Sequence, residues 1–290
     1  MDGVIVVDKP TEWTSHDVVG KMRRLAQTKR VGHLGTLDPM ATGVLPLVLN
    51  RATRLAQFFT HADKVYEATI RFGFATNSYD ADGEATTEAV AVNLDAAILE
   101  RALEGFRGEI IQMPPAVSAK KINGVPAYKL ERQGKPVELK AVPVTIYELT
   151  LLGCEGDSAK VRVHSSTGTY IRSLAHDLGV LLGCGAHLSA LRRTRAGIFT
   201  LDQALTLEAL ADPATLAAAM IPAIDLLPEF PRERVDDVTA GFIRQGRDFR
   251  VNAFRVEQGA RYVRAVDGAG ELVAIGEIAL PNLYHPMLVL

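Results

Sequence analysis

One carboxylate stands out for its surroundings. In Gly32-His33-Leu34-Gly35-Thr36-Leu37-Asp38-Pro39-Met40-Ala41-Thr42-Gly43, three glycines and a proline enclose Asp38. Proline pushes the preceding residue out of helical geometry, so Asp38 is expected in an extended conformation on a loop. The apolar run at residues 44–49 can brace that loop. A carboxylate so held can act as nucleophile or base, although a plain Asp-Pro turn looks the same locally. A second candidate is Arg172, in Ser166-Thr167-Gly168-Thr169-Tyr170-Ile171-Arg172. It falls in the first turn of an expected helix, where the dipole disfavours a cation by about 0.3–1 kcal/mol. An unfavourable placement can mark a site, with an exposed, solvated arginine as the plain alternative.

Charge is the third feature. The chain carries 32 Lys/Arg and 34 Asp/Glu, a net charge of −2, which taken alone argues against nucleic acid as a partner. The charge is segmented, however. Residues 1–64 hold nine basic against six acidic side chains, residues 101–140 eight against four, and residues 160–195 six against one. Residues 76–100 hold six acids and no base, and residues 201–238 hold eight acids against two bases. If the basic segments share a face, they form a nucleic-acid footprint that the total conceals.

The elements that must position these groups follow from pattern. Residues 3–7 read as a buried strand and residues 64–73 as an alternating one. Ser15 can N-cap a helix running to about Thr28. Residues 30–46 read as an irregular loop. A helix starts at Asp95, with Ile98, Leu99, Ala102 and Leu103 at core spacing. Residues 142–152 and 159–166 form strands joined through Glu155-Gly156-Asp157. Thr169 caps a helix whose apolar stripe is Ile171, Leu174, Ala175, Leu178, Leu181 and Leu182. Pro222, Pro228 and Pro231 suggest a linker, followed by a helix near 234–245 and strands around 250–256, 261–266 and 271–278. Helices and strands without strict alternation indicate an α+β domain with a mixed, largely antiparallel sheet. The expected division is 1–230 and 231–290, the second part small enough to need docking on the first.

Other classes are disfavoured. Cys154 and Cys184 make no metal or redox spacing, and the seven histidines show no HExxH, so no metal is expected. No GxxxxGK[ST] or GxGxxG is complete. No signal peptide and no apolar run long enough to span a bilayer is seen, and a cytoplasmic location without membrane contact is expected.

Taken together, the motifs resemble the tRNA pseudouridine synthase B family, the bacterial enzymes that isomerise the uridine at tRNA position 55. The matching residues are Asp8-Lys9-Pro10, Thr14-Ser15-His16-Asp17, Gly32-His33 through Thr36-Leu37-Asp38-Pro39 to Ala41-Thr42-Gly43, and Tyr79-Asp80-Ala81-Asp82-Gly83. They continue with Pro114-Pro115, Ser118-Ala119, Ala127-Tyr128, Gly168-Thr169-Tyr170-Ile171-Arg172, and Leu182-Gly183-Cys184-Gly185-Ala186 with Leu191-Arg192-Arg193. The match spans residues 3–200 in order; the C-terminal tail resembles, more weakly, the family's PUA-type RNA-binding module. Four positions depart from the pattern: Glu12 where glycine is usual, Leu34 for threonine, Ser165 for cysteine and Thr167 for lysine.

The resemblance implies roles. Asp38 is the catalytic nucleophile, Arg172 its partner, and Tyr66 the residue that stacks on the flipped uracil and accepts a proton. Tyr170 and Leu191 line the base pocket, His33 contacts the RNA, and Lys9 supports the catalytic loop. The implied substrate is the T-arm stem-loop of tRNA, bound by a monomer without cofactor or guide RNA. Arg172 is expected to keep a buried Asp38 anionic. A guide-dependent synthase lacks support in this compact chain without basic tails. A non-catalytic RNA-binding protein has no need of Asp38, Tyr66 and Arg172 together. A glycosidase needs a second placed carboxylate, which the motifs do not supply.

Overall fold

A computed structural model describes residues 2–115, 140–252 and 260–290, together with the backbone of two short strands at 121–122 and 125–126. Pro114 and Pro115 lie within the described part; Ser118, Ala119, Ala127 and Tyr128 lie outside it. The first strands are β1 (Gly3–Lys9), β2 (Val31–His33), β3 (Thr42–Leu49), β4 (Lys64–Phe72) and β5 (Gly108–Gln112). The pair β6 (Lys121–Ile122) and β7 (Val125–Pro126) stands apart. Then come β8 (Val142–Glu155), β9 (Ser158–Ser165), β10 (Ala186–Ala196), β11 (Phe199–Thr200) and β12 (Ile221–Pro222). The main sheet has the order β12-β1-β3-β10-β4-β9-β8-β5, with β2 added to β3 and β11 to β10. Every pairing in it is antiparallel except β3 with β10, which run parallel at Thr42↔Arg192 and Gly43↔Arg193. The sheet is thus mixed and largely antiparallel, as its sequence suggests.

Helices α1 (Ser15–Leu25), α2 (Ala96–Glu104) and α3 (Ile171–Leu181) pack on one face, and short α4 (Pro213–Ala218) adds Leu216 to the same core. The helix ends differ from expectation. Thr14, not Ser15, caps α1: it accepts from the Asp17 amide, and the Asp17 carboxylate returns a bond to the Thr14 amide. Ser15 is unavailable because its hydroxyl bonds the Leu37 backbone. The helix stops at Leu25, short of Thr28. For α3 the cap position is Tyr170 without a side-chain bond; the Thr169 hydroxyl donates back to the Ser166 carbonyl instead. Ile98 and Leu181 are exposed, so the buried stripes narrow to Leu99 and Leu103 on α2, and to Ile171, Leu174, Ala175 and Leu178 on α3. The expected loop at 30–46 contains β2 and the start of β3; only Arg30 and residues 34–41 are irregular.

The C-terminal part is a second, five-stranded sheet: β13 (Arg232–Arg234), β14 (Phe249–Arg250), β15 (Tyr262–Val266), β16 (Leu272–Leu280) and β17 (Leu283–Val289), with helix α5 (Asp237–Arg244). The short β13 and the terminal β17 carry weak periodicity and were not expected. The strand near 250–256 covers only 249–250 among the described residues. The proline-marked stretch is no exposed tether, because Leu226 and Leu227 are buried in the cluster that joins the two sheets.

Candidate active site

Asp38 sits at the tip of the 34–41 loop, on the rim of a pocket of about 350 Å³, a size that admits one nucleoside-sized group. Gly35, Thr36 and Leu37 line it beside Asp38, with Lys64 and Tyr66 from β4, residues 166–172, and Leu191 and Arg193 from β10. The structure therefore brings together Asp38, Tyr66, Tyr170, Arg172 and Leu191, five of the seven residues singled out in the sequence.

The loop is pinned at three points. Lys9 is fully buried, and its ammonium donates to the carbonyls of Pro10 (2.8 Å) and Pro39 (3.0 Å). Burial lowers its pKa to about 8, and Asp38 pulls in the other direction. Ser15 accepts from the Leu37 amide (2.8 Å) and donates to the Leu37 carbonyl (3.1 Å). Arg193, 1% exposed, donates to the carbonyls of Val44 (2.8 Å), Gly35 (3.0 Å) and Thr36 (3.3 Å), with Tyr66 opposite it on β4. Lys9 thus supports the loop from behind rather than lining the pocket. His33 ends β2, half-buried, and does not line the pocket either; burial, with Arg193 and His16 nearby, lowers its pKa.

Arg172 is buried, not a solvated surface charge. Its Nε lies 3.0 Å from Asp38 Oδ2 and its Nη2 3.5 Å from Asp38 Oδ1. Its Nη1 reaches Asp80 Oδ2 at 3.2 Å and the Ser78 carbonyl at 3.1 Å. One planar guanidinium thus bridges two carboxylates, a geometry that lysine cannot reproduce. Asp80 is itself buried, held by the Ser78 hydroxyl and the Asp82 amide. Asp38 is 36% exposed, and that surface lines the pocket. Burial raises its pKa above the ordinary carboxylate value; Arg172 offsets this only in part, and Asp80 adds to the rise. Arg172 thus favours the anion, as expected, against burial and the second carboxylate, Asp80.

Gln112, fully buried on β5, accepts from the Tyr170 amide (2.7 Å) and donates to the Tyr170 carbonyl (2.9 Å), fixing the entry to α3. Tyr66 lies opposite Arg193 and Val163 on the neighbouring strands, which directs it to the helical face of the sheet. Asp80, Arg193, Lys64 and Gln112 had no assigned role in the sequence. Asp80 lay in a quoted motif inside an acidic stretch, and Arg193 in a basic one, so both resembled surface charge.

Among the described residues, the bases of the 160–195 segment do not share one face. Lys160 and Arg162 are exposed and alternate with buried Val161 and Val163, so they lie across the sheet from Tyr66 and Arg193. Arg192 pairs with Asp8 (2.8 Å) and Arg195 with Asp63 (2.8 Å). Most of the 101–140 segment lies outside the described residues.

Comparison with known proteins identifies the family. Residues 23–171 match the TruB family pseudouridylate synthase N-terminal domain, and residues 172–225 the tRNA pseudouridylate synthase B C-terminal domain. A tRNA pseudouridine synthase B from Solibacter usitatus is 60% identical over 293 residues, covering 100% of both chains. One from Aromatoleum aromaticum is 46% identical over 96% of this chain and 89% of its own. Among solved structures, a chain of a Cbf5-Nop10-Gar1 complex superposes with a TM-score of 0.73 at 29% identity, covering 97% of this chain and 79% of that one. A chain of an H/ACA RNP bound to a substrate RNA containing 2′-deoxyuridine gives 0.71 at 27% identity, over 98% and 83%. With two family domains matched in tandem and relatives aligned along its whole length, this chain belongs to the tRNA pseudouridine synthase B family.

Proposed function

We propose that the protein isomerises the uridine at position 55, in the T arm of tRNA, using Asp38 and no cofactor or guide RNA. Family membership supports uridine-to-pseudouridine isomerisation in tRNA as the reaction class. The observation that carries the residue assignment is the Asp38–Arg172 ion pair inside a pocket walled by Tyr66, Tyr170 and Leu191.

The reaction breaks N1–C1′, turns the uracil and forms C5–C1′. N1 gains a proton and C5 loses one, so atoms balance without an external reactant. The target base must leave its stack, at a few kcal/mol. Stacking on Tyr66 returns roughly 1–3 kcal/mol, and Ile171 and Leu191 supply apolar walls. Asp38 attacks the flipped nucleotide as nucleophile, or acts as base at the ribose; both routes use the ionised carboxylate. Arg172 aims it. In this reading Tyr66, which shares the pocket wall with Arg193, takes the C5 proton. His33, behind the Asp38 loop, meets the RNA strand rather than the base.

The test is conversion of an unmodified T-arm stem-loop by purified protein, without added metal or guide RNA, read by site-resolved pseudouridine mapping. One converted uridine is expected, and Asp38→Asn should abolish turnover while keeping RNA affinity. No conversion by the wild type overturns the reading; near-normal turnover by Asp38→Asn removes Asp38 from the chemistry.

A further inference from the structure

The turn that presents Asp80 is held in a strained form. Tyr79, immediately before Asp80, has φ +64°, a left-handed conformation that bulky side chains avoid. Its ring stacks on His176, with centroids 3.8 Å apart and planes 13° from parallel. His176 follows Arg172 by four residues on α3, so both reach out from one helical face. Arg172 grips the carbonyl of Ser78 and the carboxylate of Asp80, while His176 grips the residue between them. From the other side, the Leu188 amide donates to the Tyr79 carbonyl (3.0 Å) and the Ala81 amide to the Leu188 carbonyl (3.0 Å). Strained residues persist only where their surroundings over-determine them, and such places cluster at functional sites.

His176 contributes a flat surface rather than a hydrogen bond. Its Nδ1 is buried with no partner among the described residues. Burial also lowers its pKa, which favours the neutral ring.

We infer that Tyr79 and His176 are positioning residues for the isomerisation: their stack fixes the turn, the turn fixes Asp80, and Asp80 sets the Arg172 fork that aims Asp38. The inference rests on the proposed role of Asp38. It differs from simple packing of a turn on a helix, which would alter stability without singling out the chemical step.

Single-turnover pseudouridine formation on a tRNA transcript, measured beside RNA affinity and melting temperature, separates the two. His176→Ala should slow the chemical step by about tenfold or more, as small misplacements of reacting groups do, with affinity unchanged. His176→Phe keeps a flat ring, gives up both ring nitrogens, of which the buried Nδ1 has no partner among the described residues, and should restore most of the rate. Tyr79→Gly accepts the positive φ without strain and deletes the ring, so it should fold and show the same selective slowing. A wild-type rate for His176→Ala, a His176→Phe as slow as the alanine variant, or slowing that only follows weaker RNA binding or a lower melting temperature overturns the inference. An inactive wild type would instead overturn the isomerase reading beneath it.

Discussion

At the scale of single residues, the site is a contest over one proton. On the proposed reading Asp38 must be ionised to react, yet burial and the neighbouring Asp80 raise its pKa, and Arg172 counters them only in part. The sign follows directly. A carboxylate with a raised pKa takes up its proton at a higher pH than a free aspartate, so the reactive form is lost earlier on acidification. Single-turnover rates should therefore fall with an acid limb whose midpoint lies above 3.8, the ordinary value for aspartate. A limb at or below that value would show that Arg172 dominates. Legibility at this scale was uneven. Asp38 and Arg172 were visible because each sat badly with its local sequence, one beside proline and one against a helix dipole. Asp80 was not, because a buried acid inside an acidic run looks like solvated surface until its partner, 92 residues away, is known. The departure at Glu12 also gains a physical meaning: its φ is +66°, the conformation that makes glycine usual there.

At the scale of elements, the site lies at the junction where β3 meets β10, the one parallel strand pairing of the main sheet among the described residues. Arg193 enters this junction from β10 and ties the Asp38 loop to β3 through carbonyls on both sides. The close approach demands Gly43. Its φ is +99°, and a Cβ there would lie 2.2 Å from the Arg193 carbonyl oxygen. Gly43→Ala should cost about 1–3 kcal/mol in backbone strain and a further ~1–3 kcal/mol in overpacking. Gly20→Ala is the contrast: in α1, with nothing within 4 Å of a built Cβ, it should stabilise by roughly 0.5–1 kcal/mol. Chemical denaturation of both variants checks the pair, and a neutral Gly43→Ala would mean the junction relaxes freely. Strand and helix existence was readable from periodicity, whereas the parallel junction was not. It arises from a contact between residues about 150 apart, which no local pattern encodes. Cap identity escaped for a related reason, since Ser15 is diverted by a tertiary bond to Leu37.

At the scale of the whole molecule, the net charge of −2 says nothing of how the bases of residues 160–195 divide between faces and partners. Lys160 and Arg162 lie across the sheet from the pocket, Arg192 and Arg195 are paired, and Arg172 and Arg193 are spent inside the site. Charge segments in a sequence cannot show this, because a strand sends alternate residues to opposite faces. The C-terminal sheet, expected to dock on the first part, packs into a shared buried cluster with it. Leu272, Ile275 and Leu288 join one buried cluster with Val4 and Val6 of β1 and Val44 and Val48 of β3. Arg264 reaches back to the carbonyls of Ile224 (2.6 Å) and Phe230 (2.7 Å), and Arg54 bonds the Val289 carbonyl. Fully burying a large aliphatic side chain is worth about 1.5–3 kcal/mol, so the three contributed by the second sheet amount to roughly 5–9 kcal/mol. That is comparable with the ~5–15 kcal/mol that keeps a typical protein folded. Deleting residues 232–290 should therefore lower the melting temperature sharply and uncover apolar surface on β1 and β3. Because the Val44 carbonyl is an anchor for Arg193, the catalytic rate should fall together with RNA affinity. Thermal melts and single-turnover rates of the truncated chain decide the point: a stable, fully active fragment would show that the second sheet is only an accessory.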